Sequence, residues 1–215
     1  MGEQLQGFFE STAGVVTTIV VIVVLLLLIM RGGSKDTKKT DIKALTVSAL
    51  MIALSTILGN VKIFEMPQGG SVTLLSILPI VFVAYLYGTR RGVIAGFCVG
   101  LLNLIFGPYI IHPIQLLMDY PIPYGALGLA GLCRNSKLGL TKGFIVGVIA
   151  RGICHTLSGV IFFASYAPEG MNPWVYSAGY NFSFLAVEAV ITLIIINIPP
   201  VRKALENIKN SVVNS

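Results

Sequence analysis

Seven apolar stretches, each carrying at most one charged side chain, are strung along a chain of 215 residues. They run from Gly14 to Met30, Ile42 to Gly59, Val72 to Gly88, Gly92 to Phe106, Pro113 to Leu132, Gly143 to Ser165 and Pro173 to Ile198. A helix that crosses the hydrocarbon core of a bilayer needs about 20 mostly apolar residues. The pattern therefore predicts an all-α integral membrane protein with seven spans. With 11% charged residues and a mean hydropathy of +0.85, the composition excludes a soluble enzyme. The same numbers exclude a disordered or nucleic-acid-binding chain, even at a net charge of +6. Cys98, Cys133 and Cys154 lie in or beside apolar runs without metal-like spacing and read as small packing residues.

The basic residues orient the bundle. None precedes the first stretch, which argues against a signal peptide, whereas Arg31, Lys35, Lys38 and Lys39 follow it. The positive-inside rule then puts the N-terminus outside and the linker in the cytoplasm. Threading the remaining spans sends Lys43, Arg90, Arg91, Arg134, Lys137, Lys142, Arg202, Lys203 and Lys209 to the cytoplasmic side, which leaves only Lys62 and Arg151 elsewhere. The C-terminus is accordingly cytoplasmic. The outer face receives the longer connections, Asn60 to Ser71, Gly107 to His112 and Tyr166 to Asn172, which suit caps over a cavity that opens outward. Glycines at 92/96/100, 125/128/131 and 143/147, and the pair Ala49/Ala53, recur at helical spacing and predict close helix packing.

Charge inside a span is costly, about 2.5–3.5 kcal/mol per residue even on the lenient insertion scale, so Asp119, Arg151 and Glu188 each need a reason. At 1.5 Å per residue, Asp119 lies roughly 9 Å below the outer start of its helix, His155 about 15 Å below its outer end, Tyr176 about 5 Å down and Asn181 about 12 Å down. An acid, an imidazole, a phenol and a carboxamide thus converge in the outer half of the membrane. Arg151, His155, Gly159 and Phe163 are spaced by four and share one stripe. Pro121 and Pro123, next to Tyr120 and Tyr124, should distort the fifth span and turn its polar groups toward a cavity. Arg151 and Glu188 come out at similar depth, roughly 21 and 22 Å, and are expected to pair beneath the pocket. No His, Cys or carboxylate spacing suggests a metal site. The chain has no phosphate-binding Walker loop, nucleophile elbow or HExxH pattern, so active transport would need partners or an ion gradient.

The segments Met66-Pro67-Gln68-Gly69-Gly70-Ser71-Val72-Thr73-Leu74, Gly107-Pro108-Tyr109-Ile110-Ile111-His112-Pro113-Ile114-Gln115, and Asp119-Tyr120-Pro121 leading to Ala126 through Leu132 resemble the thiamine-specific substrate-binding subunit of energy-coupling factor transporters. His155, Gly159, Tyr166, Tyr176 and Asn181 match as well, so the resemblance covers about residues 42 to 200. It implies a six-helix thiamine-binding core over 42–200. An extra N-terminal transmembrane helix and basic linker would precede it over 1–41, and a basic cytoplasmic tail would follow over 201–215. It further implies capture of thiamine from outside at the cell membrane, with a transmembrane coupling subunit and two cytoplasmic ATPases as partners, no cofactor and no chemistry on the vitamin.

By the same resemblance Asp119 faces the thiazolium cation, while His155 and Tyr120 line the pocket. Tyr176 and Asn181 bond the aminopyrimidine, and Tyr109, Gly159 and Phe163 complete the lining. The stripe adds Arg151 to the candidate binding residues. Ala49 and Ala53 resemble the small-residue motif that docks on the coupling subunit. The chain departs from the family pattern in having Asp119 where some members have Glu, Phe163 where they have Trp, and no Trp in the first outer loop; its one Trp is Trp174. The chemistry agrees, since a quaternary thiazolium joined to an aminopyrimidine calls for one carboxylate, aromatic faces and planar hydrogen-bonders. Competing readings are a binding subunit for another vitamin or a thiamine precursor, and a self-sufficient carrier in which Asp119 or Glu188 binds a proton. An intramembrane enzyme is disfavoured by the lack of a nucleophile and base at suitable spacing.

Overall fold

The computed structural model describes residues 42–213 together with isolated positions between residues 7 and 24. Most of the expected first span, Gly14 to Met30, and the basic linker after it lie outside the described residues. Helix α1 (Ile42–Asn60) matches the second expected span almost residue for residue. It is apolar on nearly every side, and the hydroxyl of Ser55 ties it inward by donating to the carbonyl of Ser76, 2.6 Å away.

The connection that follows is more ordered than a loop. Strands β1 (Lys62–Glu65) and β2 (Ser71–Thr73) form a short antiparallel hairpin with a bulge between Lys62 and Phe64. The chain reverses through a 3-10 turn at Pro67–Gly69, where Gly69 takes φ +89°. The two strands qualify the all-α expectation.

The third expected span, Val72 to Gly88, is helical only as α2 (Leu78–Tyr87), because its first residues belong to β2 and to a turn in which Leu75 takes φ +59°. At 1.5 Å per residue α2 is about 15 Å long, half a hydrocarbon core. It is buried on all sides and forms the centre of the apolar core, with Ile80, Val81 and Leu86 packed among Leu127, Phe144 and Leu185. A helix that is apolar all round requires such enclosure. Gly88 alone separates it from α3 (Thr89–Asn103), and its φ of +89° is one that only glycine adopts without strain.

The fifth expected span is broken, as its prolines predict. Helix α4 (Pro113–Asp119) stops at Tyr120. Pro121, which has no N–H to give the carbonyl four residues back, then starts α5 (Pro121–Ala126). The segment continues as 3-10 turns over Leu127–Cys133. The glycine rows explain how these fragments stay in place. A Cβ at Gly96 would strike the carbonyl of Tyr124, one at Gly100 the backbone of Tyr120 and Pro121, and one at Gly128 the backbone of Val93. Gly143 and Gly147 meet Ala130 and Leu127 in the same way. Backbone thus lies on backbone along the seam of α3, the broken span and the next helix.

The long helices α6 (Gly139–Phe162) and α7 (Pro173–Asn197) complete the bundle. Asn172 caps α7, its Oδ1 accepting from the Trp174 N–H at 2.9 Å, with Pro173 at the first helical position. Pro199 and Pro200 end α7 and open α8 (Pro199–Val213). The expected C-terminal tail is therefore largely a helix. Lys209 fastens it to the bundle, donating to the carbonyl of Arg134 at 2.5 Å and lying 4.0 Å from the centroid of the Tyr85 ring. Burial there and the nearby Arg134 guanidinium hold the Lys209 ammonium below its usual range. Three described helices, α1, α6 and α7, are long and apolar enough to cross a membrane.

Candidate functional site

One cavity of about 440 Å³ opens at the hairpin end of the bundle, within the range of small-ligand pockets. The end of α1, the hairpin and the 106–109 connection form its rim, while α4, α5, α6 and α7 supply its wall. Every candidate binding residue lines it: Tyr109, Asp119, Tyr120, Arg151, His155, Gly159, Phe163, Tyr176 and Asn181. Arg151, His155 and Gly159 of α6 and Phe163 just past its end therefore face one space, as the four-residue period requires.

At the centre, the three titratable groups form a chain. The Nε–H of Arg151 donates to Nε2 of His155 at 3.3 Å, and Nδ1 of His155 lies 3.4 Å from Oδ1 of Asp119. A guanidinium only donates, so Nε2 is the acceptor and the ring proton sits on Nδ1, directed at the carboxylate. The Asp119 side chain keeps 18% of its surface exposed, enough to present an edge to the cavity.

Arg151 does not meet Glu188, contrary to the pairing inferred from depth. Its guanidinium lies over the ring of Tyr124, 4.1 Å from the centroid, where cation–π attraction replaces an ion pair. Glu188 is buried behind the cavity wall. There it accepts from the hydroxyl of Thr73 at 2.8 Å, the hydroxyl of Ser76 at 3.1 Å and the N–H of Ile77 at 3.2 Å. Depth along two helices carries no information about which way each side chain turns.

Two aromatic surfaces flank the acid. Near the mouth, Phe163 has ring centroids of Tyr109 and Tyr166 at 6.1 and 6.0 Å. The two phenol oxygens are 3.3 Å apart, and this hydrogen bond pushes the Tyr109 hydroxyl above its ordinary pKa. Along α7, Tyr176, Tyr180 and Phe184 recur every four residues, stacked or edge-on to one another. Tyr180 also bonds the hairpin turn, accepting from the Gly70 N–H and donating to the Pro67 carbonyl. Asn181 directs Nδ2 to the carbonyls of Ser177 and His155, at 2.9 and 3.3 Å. Asn181 itself lines the cavity. Gly159 is required here, because a Cβ would strike Ser177 of α7.

Sequence reasoning missed Tyr180, Phe184 and Gln115. The first two lay one and two turns along from Tyr176, so the period that identified the α6 stripe would have found them. Ala49 and Ala53 are exposed on α1 and do not line the cavity. Among the described residues, no group of His, Cys, Asp and Glu side chains is arranged to hold a metal ion.

Comparison with known proteins connects this geometry to a family. The sequence profile of the family described as Thiamine transporter protein (Thia_YuaJ) matches residues 45–207. The thiamine transporter ThiT of Bacillus subtilis is 33% identical over 164 residues, covering 69% of this chain and 85% of that protein. A second ThiT, from Lacticaseibacillus paracasei, is 31% identical over 139 residues, covering 57% of this chain and 69% of its own length. Among solved structures, ThiT from Listeria monocytogenes superposes with a TM-score of 0.60 at 22% identity, over 73% of this chain and 94% of that one. That likeness shows a shared fold.

Proposed function

The chain belongs to the thiamine transporter protein family, whose members are transporters and not enzymes, and from this premise we propose that it captures thiamine at the outer face of the cell membrane. One observation carries the reading. A carboxylate with an open edge, Asp119, is flanked by aromatic rings in a cavity of small-ligand size. The thiazolium cation sits against Asp119 and the face of Phe163, with Tyr109 closing over it. The aminopyrimidine lies toward α7, where the Asn181 oxygen accepts from its amino group and Tyr176 and His155 complete its contacts. Arg151 stays on Tyr124 and balances the charge of Asp119 through His155. Tyr120 and Gly159 shape the wall.

Residues 42–200 form the binding domain, with the hairpin end outward and the C-terminus in the cytoplasm; the seventh span expected within 1–41 lies mostly outside the described residues. The subunit binds and releases the vitamin unchanged, without a cofactor. Uptake is driven by a coupling subunit and two ATPases. In support, α1 is the least buried of the three long helices, and it presents Ala49 and Ala53 on an open face where another helix can approach closely.

Two experiments test this. The full-length chain in detergent should bind thiamine saturably and one to one, followed by Trp174 fluorescence or calorimetry, and should ignore riboflavin and biotin. Absence of binding by folded protein would overturn the reading. Replacing Ala49 and Ala53 together by Leu should abolish uptake in cells while leaving thiamine affinity within about twofold, since surface changes away from a site are usually small. Intact uptake would remove α1 as the docking face.

A further inference from the structure

Gln115 lies one turn before Asp119 on α4 and is 1% exposed, the most deeply buried amide near the cavity. Three partners fix it. Its Nε2 donates to Oδ2 of Asp119 at 2.6 Å and to the carbonyl of Tyr109 at 3.1 Å, and its Oε1 accepts from the N–H of Ile111 at 3.1 Å. Only one orientation of the amide satisfies all three. The flipped form would set Oε1 against a carboxylate and a carbonyl and leave Nε2 facing an N–H. Tyr109 is gripped at its other end too, because its N–H donates to the hydroxyl of Tyr120 at 2.8 Å. The ring it carries stands beside Phe163 at the mouth.

One side chain therefore joins the carboxylate to the loop that holds the aromatic face. We propose that Gln115 is the positioning residue that makes the site selective for a cationic ring. It fixes Oδ2 so that the free edge of Asp119 points at the position of the charge, and it holds the Tyr109 ring at a set distance from that edge. A neutral ring of the same shape gains nothing from this alignment, whereas a cation depends on it. The assignment rests on the thiamine reading given above.

The test compares thiamine with its uncharged thiophene counterpart, in which carbon replaces the quaternary nitrogen, on the full-length protein. Gln115→Met keeps length and apolar bulk but removes both N–H donors. Loss of a charge-assisted hydrogen bond should weaken thiamine binding about tenfold or more. Binding of the neutral analogue should change less than about threefold. In an Asp119→Asn background the same substitution should cost thiamine no more than it costs the analogue, because the coupled partner is gone. Equal loss for both ligands, no loss, or an unchanged effect without Asp119 would overturn the proposal.

A measurement without ligand stands beside these. In wild-type protein carrying 15N-labelled glutamine, one side-chain amide should exchange slowly with solvent and shift in Asp119→Asn. If every glutamine amide exchanges freely, or the slow one does not move, the clamp is absent, whatever Gln115→Met does to folding. If wild-type protein binds no thiamine, the functional reading fails, and this amide still decides whether the clamp exists.

Discussion

Two acids are buried in this bundle, and their surroundings differ in kind. Around Glu188, which is 4% exposed, every donor is protein: two hydroxyls and a backbone N–H from the end of the hairpin and the start of α2 surround the carboxylate. Around Asp119, a glutamine amide and an imidazole approach from the helix side and leave the cavity side open. Burying an ionised carboxylate is expensive unless hydrogen bonds replace its water. The protein supplies all of that replacement at Glu188 and only part of it at Asp119. The first acid is a structural joint between α7 and the hairpin. The second keeps a demand that a cation can meet.

Substitutions can break this contrast. The largest effect is expected at Glu188→Leu, which strands the donors of Thr73, Ser76 and Ile77 in apolar surroundings. At about 1–3 kcal/mol for each unsatisfied buried group, destabilisation should exceed about 3 kcal/mol, read as a sharp fall in the thermal midpoint in detergent. Any folded fraction should still bind thiamine with near-normal affinity. Asp119→Asn should do the reverse, weakening thiamine binding by more than about tenfold while the midpoint of the ligand-free protein moves little. A shared phenotype for the two would erase the distinction. The smallest effect sharpens it: Ser76→Ala removes one of three donors from Glu188 and should lower stability by about 1 kcal/mol without touching affinity.

The contrast also marks how far the sequence could be read. The stripe of Arg151, His155 and Gly159 was legible because helical period fixes its common direction, and Phe163, one residue past the end of α6, still follows it into the cavity. The break at Pro121 was legible because proline's missing N–H acts locally. The partners of Glu188 were not, since Thr73, Ser76 and Ile77 are brought together around a turn where Leu75 adopts a left-handed conformation that nothing in an apolar run announces. Gln115 escaped for a related reason. Its significance lies in contacts to a loop and a neighbouring side chain, which depend on how α4 is rotated in the bundle. Most of the hairpin, residues 62–71, read as a loop because Gly69 and Gly70 signal a reversal without saying whether the flanking residues pair, and Val72 and Thr73 read as the start of a span. Composition revealed that α2 is apolar, but its short length follows from where the hairpin ends.

The glycine seam bears on what sequences can inhabit this fold. Any base change that replaces a glycine codon's residue introduces at least a Cβ, and at Gly96, Gly100 and Gly128 that atom lands on another segment's backbone, which cannot rotate away as a side chain can. Neighbouring substitutions offer no relief, because no side chain there exists to be shortened. In a library of random variants selected for folded protein, these three positions should therefore return almost pure glycine. The aromatic residues that line the cavity, with bulk that can be traded between partners, should drift, leaving the lineage free to retune its ligand while its frame stands still.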